Sequence, residues 1–163
     1  MMPRLFAQSL TCLALILATT STPAATLCLA GEVAIVAFQM KSNKLLNVCK
    51  GPKAAYAVYR FGLPGKIELQ FPQELDAGSW KKFTYQLVNR RGGKNNTGFS
   101  QRTLTFTHAG VSYDIYETWI ADTDKYENGV RVFDGKKDVN LTARGSLSPE
   151  AEDEARFAQA KGD

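Results

Sequence analysis

The stretch YRFGLPGKIELQFP, residues 59–72, decides the fold class. Its right half alternates: Ile67, Leu69 and Phe71 fall on one face, Glu68 and Gln70 on the other. A period of two is the mark of a strand with one dry face and one wet face. To its left stands Leu63-Pro64-Gly65-Lys66. A proline ring presets φ for the second position of a turn, and glycine supplies the positive φ that a type II turn needs at its third. A type II turn twists against the strands of a two-residue hairpin, so Gly62 is expected to belong to a longer connection of about four or five residues. A glycine-rich phosphate cradle would need a helix after it, with amides converging on the anion. A strand follows here, so the stretch reads as the corner of a sheet.

The segments around it repeat the pattern. Residues 32–40 and 44–49 flank the turn Lys41-Ser42-Asn43, and 54–61, 82–88, 111–120, 129–133 and 138–142 are further β-rich runs. In 103–108, Leu104 and Phe106 point one way and the threonines the other. About nine short strands separated by turn signals predict an all-β domain, an antiparallel sandwich or a small barrel. The run 33–37 does not alternate. Either both of its faces are covered, or it is an edge capped by another element.

The two ends read differently from the body. Residues 1–25 carry Arg4, an apolar run from Leu10 to Ala18, and then small residues up to Ala25. That is the grammar of a secretory signal peptide, and the run is shorter than the ~20 residues a membrane span takes. Leu27 before Cys28 is too large for a usual lipoprotein cleavage site. The expected location is the periplasm, or otherwise the extracellular space, with no transmembrane segment in the mature chain. Residues 144–163 form an acidic tail. Ser148 as N-cap and Pro149 at the first helical position predict a short helix there.

Charge and cysteine usage narrow the classes further. The chain of 163 residues has 20 basic and 16 acidic side chains. The β domain, 26–143, holds 16 basic against 11 acidic ones. This mild excess favours an anionic partner, yet lacks the dense basic patch of a nucleic-acid binder. With Cys12 in the leader, Cys28 and Cys49 remain. In an oxidising compartment they most simply form one disulfide. A metal pair would need further ligands at short spacing, and His108 is the lone histidine.

The segment NRRGGKNNTGFSQR, 89–102, is the leading candidate for a binding loop. Arg90, Arg91, Lys94 and Arg102 can hold carboxylate or phosphate, Arg by bidentate pairing. Trp80, beside Lys81 and Lys82, would add contact area. The alternative is a solvated hairpin loop kept soluble by charge. In 111–120, Tyr113 and Ile115 share one parity and Tyr116 and Thr118 the other, so one set belongs to the core and the other could be a platform. No catalytic residue is assigned. His108 has no nucleophile motif with it, and Asp114 and Glu117 fall on opposite faces of their strand. The triplets at Asn95 and Asn140 match a glycosylation acceptor.

The elements YRFG, PGKIELQFP, YDIY and GVRVF resemble a family of small, signal-bearing bacterial proteins of unassigned function. The likeness spans most of 28–142 and implies export and an all-β domain, and no activity. Such proteins tend to carry further cysteines near the end of the last strand, where this chain has Ala143. More distantly, the chain resembles the periplasmic β-barrel inhibitors of lysozyme, with DKYENGV, 124–130, in the place of an inhibitory loop. The expected function is an exported, non-catalytic domain that binds an anionic envelope polymer or a protein partner, without cofactor or metal. Inhibition of a lysozyme-like hydrolase is the alternative, and a hydrolase the third.

Overall fold

A computed structural model describes residues 25–144. The expected leader (1–25) and acidic helical tail (144–163) lie, apart from Ala25 and Arg144, outside the described residues. Nine antiparallel strands form two sheets. The first sheet has the order β1 (Val33–Gln39), β2 (Leu45–Lys50), β3 (Ala57–Leu63), β4 (Lys66–Phe71). The second runs β5 (Thr84–Arg90), β6 (Phe99–His108), β7 (Val111–Ile120), β8 (Lys125–Phe133), β9 (Asp138–Thr142). Within each sheet, strand neighbours in sequence are neighbours in space, and the chain changes sheet once, between β4 and β5.

The inner faces close on one core. Leu46, Val48 and Tyr59 from the first sheet meet Leu104, Phe106, Ile115 and Val130 from the second. Phe106 is its hub: its ring stacks on Phe71 at 4.5 Å and on Tyr113 at 4.7 Å, and packs tilted against Tyr59 at 4.8 Å. Offset and tilted ring pairs of this kind add to the area they bury. The arrangement is a two-sheet sandwich and not a closed barrel. The sheets are stitched at one corner, where Met40 bridges Ala143, and Arg144 N donates to the Gln39 carbonyl. Ala143 therefore occupies its position as a backbone partner, buried beside Met40.

The non-alternating run in the first strand has a local cause. The register between β1 and β2 shifts between Ala34 and Val36, so Ile35 is an extra residue. This bulge lets Ile35 and Val36, adjacent in sequence, both bury. Alternation then resumes at Phe38 and Met40.

A second bulge settles the corner at 59–72. Leu63 pairs with Lys66, so the connection is two residues, Pro64 and Gly65, and not the longer one expected. Gly65 has the positive φ of a type II turn, 77°. The mismatch in twist is absorbed one step inward. Phe61 pairs with Leu69 but Gly62 with Ile67, leaving Glu68 as the extra residue. The bulge also breaks the expected face. Leu69 and Phe71 pack on the core, while Ile67 is 42% exposed. Glu68 turns to Lys44, whose Nζ lies 2.6 Å from its Oε2.

The outer face of the first sheet is covered by the chain's own segment 25–32. Leu27 N donates to Asn47 Oδ1, and Cys28 is disulfide-bonded to Cys49 of β2. Glu32 meets Arg60 of β3. Both faces of β2 are therefore dry, and Leu45, Leu46, Asn47, Val48 and Cys49 are all buried. Cross-linking residues 21 apart in sequence stabilises by about 3 kcal/mol, by restricting the unfolded chain.

Candidate functional site

The core-facing parity of the second sheet continues past the core. On β6 the positions before Leu104 and Phe106 are Arg102 and Ser100. On β7 the positions after Tyr113 and Ile115 are Glu117 and Trp119. On β8 the positions before Val130 are Asn128 and Tyr126. Register aligns these into two rows across the strands. One row is Leu87, Arg102, Glu117, Asn128. The next is Asn89, Ser100, Trp119, Tyr126. Ser100, Arg102, Glu117, Trp119 and Tyr126 line a cleft of about 180 Å³ that belongs wholly to this sheet. Drug-sized pockets run to about 300–1,000 Å³, so this one has room for a single ring or end group.

Its chemistry is mixed and preorganised. Arg102 Nη1 lies 3.7 Å from Glu117 Oε2, with 14% and 11% of the two side chains exposed. An ion pair in such partial shelter is neutral overall, yet offers donors and acceptors side by side. Trp119 Nε1 donates to Asp124 Oδ1 at 2.9 Å, which fixes the indole. Asn128, buried beside Glu117, has no hydrogen-bond partner for Oδ1 among the described residues. It also borders a second depression of about 370 Å³, lined in part by Phe38, Asn47 and Ala143.

The basic loop stands at the same end of the sheet, since Arg90 pairs with Phe99, Phe99 with Ile120, and Ile120 with Lys125. Its residues divide into three groups. Arg90 braces the neck: Nε and Nη2 donate to the Thr97 carbonyl at 3.1 and 2.8 Å, and the guanidinium lies 4.7 Å over the Phe99 ring. Thr97 Oγ1 donates to Asp122, and Ala121 N to the Gly98 carbonyl, tying the loop to the next turn. Gly92 and Gly98 press backbone on backbone, where an added Cβ on Gly98 would meet Gly92 N at 2.7 Å. Arg91 and Lys94 are exposed at the tip. Arg102 is in the cleft.

Trp80 lies elsewhere. It is 9% exposed, sits in the core, and donates its indole N–H to the Ala54 carbonyl at 2.9 Å. It therefore offers no exposed ring, and the aromatic surface near the charged residues comes from Trp119 and Tyr126 instead. Glu117 and Trp119 lay on a strand whose parity was already marked by Tyr113 and Ile115, so extending that alternation would have found them.

The other candidates separate in space. Asp114 is on the outer face, accepting from Thr105 Oγ1 at 2.7 Å. His108 is at the opposite end of β6, its ring against Phe71. Glu117 is the one carboxylate among the residues lining the cleft, whereas glycoside hydrolysis uses two. Cys28, Glu32 and Cys49 place their ligand atoms within 4.8 Å of one another, but the sulfurs are bonded to each other. The segment 124–130 is not a projecting loop: Asp124 ends a turn and the rest is β8, buried at Asn128 to Val130. Among the described residues no helix is long and apolar enough to cross a membrane. No family model, curated protein or solved structure matches this chain.

Proposed function

We propose that this chain is an exported domain that binds a partner without chemistry, through the open end of the second sheet's inner face. The observation that carries the reading is the pair Arg102 and Glu117. Both stand on the parity that elsewhere holds Leu104 and Ile115, so at this end of the face a partly sheltered ion pair takes the place of apolar packing. Two aromatic rings share the cleft with it. Aromatic and arginine side chains are the types that concentrate binding energy. The partner in this reading is a cell-envelope polymer or an envelope protein. Arg91 and Lys94 at the loop tip would engage its anionic groups, with a weak and salt-dependent contribution.

Sedimentation of the chain with purified envelope fragments tests the reading. Wild-type protein is expected in the pellet. Trp119→Ala with Arg102→Ala is expected to remain in the supernatant while retaining the wild-type circular dichroism spectrum. Arg91→Ala with Lys94→Ala is expected to weaken binding only at low salt. Equal pelleting of wild type and the cleft variant would remove the cleft from the account.

A further inference from the structure

From the composition of the cleft we infer that the group it holds is an uncharged sugar ring of a glycan. The inference rests on the binding reading above and names its ligand class. A strong anion is disfavoured because the Glu117 carboxylate lines the same wall as Arg102. A cation is disfavoured by Arg102 for the same reason. The whole end of the sheet is close to balanced, five cations (Arg90, Arg91, Lys94, Arg102 and Lys125) standing against four carboxylates (Glu117, Asp122, Asp124 and Glu127). An apolar ligand would take water from the Arg102–Glu117 pair and return no polar contact of its own, which is costly.

A sugar ring satisfies all of these conditions. Each hydroxyl is both donor and acceptor, so it can accept from the guanidinium and donate to the adjacent carboxylate. Ser100 Oγ adds a group of the same dual character. The apolar C–H face of the ring needs a flat aromatic partner, which Trp119 and Tyr126 supply from neighbouring strands, directly opposite in register. The Trp119–Asp124 hydrogen bond holds the indole before the ligand arrives, which lowers the ordering cost of binding. The volume of about 180 Å³ admits one ring, so further units of a chain would lie outside the cleft.

The test is a titration followed by tryptophan fluorescence, with N-acetylglucosamine tetrasaccharide and cellohexaose as neutral probes and polygalacturonate as the anionic one. At least one neutral oligosaccharide is expected to change the emission equally at low and high salt. Glu117→Gln, read by the same emission, and Trp119→Ala, read by isothermal titration calorimetry because it lacks the reporting indole, are expected to weaken that binding by about tenfold or more, the loss of one good contact. Both variants are checked for an unchanged melting temperature, and Ser100→Ala serves as a milder third. Salt-sensitive binding of polygalacturonate with no response to either neutral probe would overturn the inference and leave the binding reading standing. Neutral binding that survives all three substitutions would overturn the placement. No binding of any probe, together with no pelleting on envelope fragments, would end both.

Discussion

Arg60 and Glu32 form a two-pronged ion pair inside the molecule, with 0% and 1% of their side chains exposed. Nη1 and Nη2 of Arg60 donate to the two Glu32 oxygens at 2.5 and 3.0 Å. Two further donors are used: Nε to Gln70 Oε1 at 2.9 Å, and Nη1 to the Leu27 carbonyl at 3.2 Å. Glu32 accepts further from Tyr56 Oη and from Leu29 N. The pair therefore fastens segment 25–32 to β3 and β4, as the disulfide and the Leu27–Asn47 bond fasten it to β2. Removing one partner strands the other charge in a dry site, at a cost of about 3–5 kcal/mol. Arg60→Ala is expected to lower unfolding stability by that amount in urea titrations. Replacing both residues, as Arg60→Met with Glu32→Leu, should cost clearly less than either single change. A double variant as unstable as the worse single one would contradict this.

The same pair predicts an acid limb in stability. Burial pushes the Glu32 carboxyl up, but hydrogen bonds from Arg60, Leu29 N and Tyr56, with the Arg60 charge, outweigh it and hold the carboxyl below its ordinary 4.5. A carboxyl lowered in the folded state stabilises above its unfolded value, and that contribution is lost as pH falls through the folded value. Stability should thus hold steady above about pH 4.5 and decline below it. Asp134, lowered by the backbone N–H groups of Lys137 and Lys136, acts in the same direction. Glu32→Gln is therefore expected to flatten the acid limb without abolishing it. Melting temperatures across the acid range, wild type against variant, check this.

Most of the fold can be read from alternation. Leu104 and Phe106, or Tyr113 and Ile115, announce a face and a period, and the structure keeps both. Alternation fails where one strand carries an extra residue. Ile35 and Glu68 each shift the phase, and nothing in their side chains marks them as bulges. The sequence around Arg60 misleads for another reason. Its outward parity suggests a wet face, and only the tertiary path of 25–32, which has no period of its own, makes that face dry. The cleft was half legible. Arg102 stands out by its charge, and Glu117 and Trp119 lie on the alternation of Tyr113 and Ile115, but that they meet follows only from strand register. Trp80 stands beside lysines in sequence, yet its ring is in the core and its indole N–H is spent on the Ala54 carbonyl.

The aromatic hub gives the third prediction. Phe106 touches Tyr59 and Phe71 of the first sheet, Tyr113 of its own, and Phe83 just before β5. Truncation to alanine leaves a cavity that strands held by ladders on each side cannot close. Phe106→Ala is expected to cost about 3–5 kcal/mol, and Phe106→Leu much less. Because the hub lies away from the cleft residues, Phe106→Leu should leave oligosaccharide affinity unchanged. A shift in affinity with unchanged folding would tie the cleft to the core.

The corner at Pro64 separates two reasons for glycine. Gly65 has φ 77° and nothing within 4 Å of an added Cβ. Its substitution meets backbone strain alone, about 1–2 kcal/mol for alanine and less for asparagine, which tolerates that region. Gly62 has φ 147°, and its Cβ would lie 2.4 Å from the Lys66 carbonyl oxygen and 2.8 Å from Glu68 N. Those contacts are backbone, inside the bulge, so no rotamer change relieves them. Gly62→Ala must either open the bulge or distort the hairpin. Opening it would return Ile67 to the register of Leu69 and slip the pairing of β4, which costs more than local strain. The expected order of destabilisation is Gly62→Ala, then Gly65→Ala, then Gly65→Asn, read as urea midpoints at constant slope. If Gly62→Ala proves no worse than Gly65→Ala, the bulge is not what reconciles this turn with its strands.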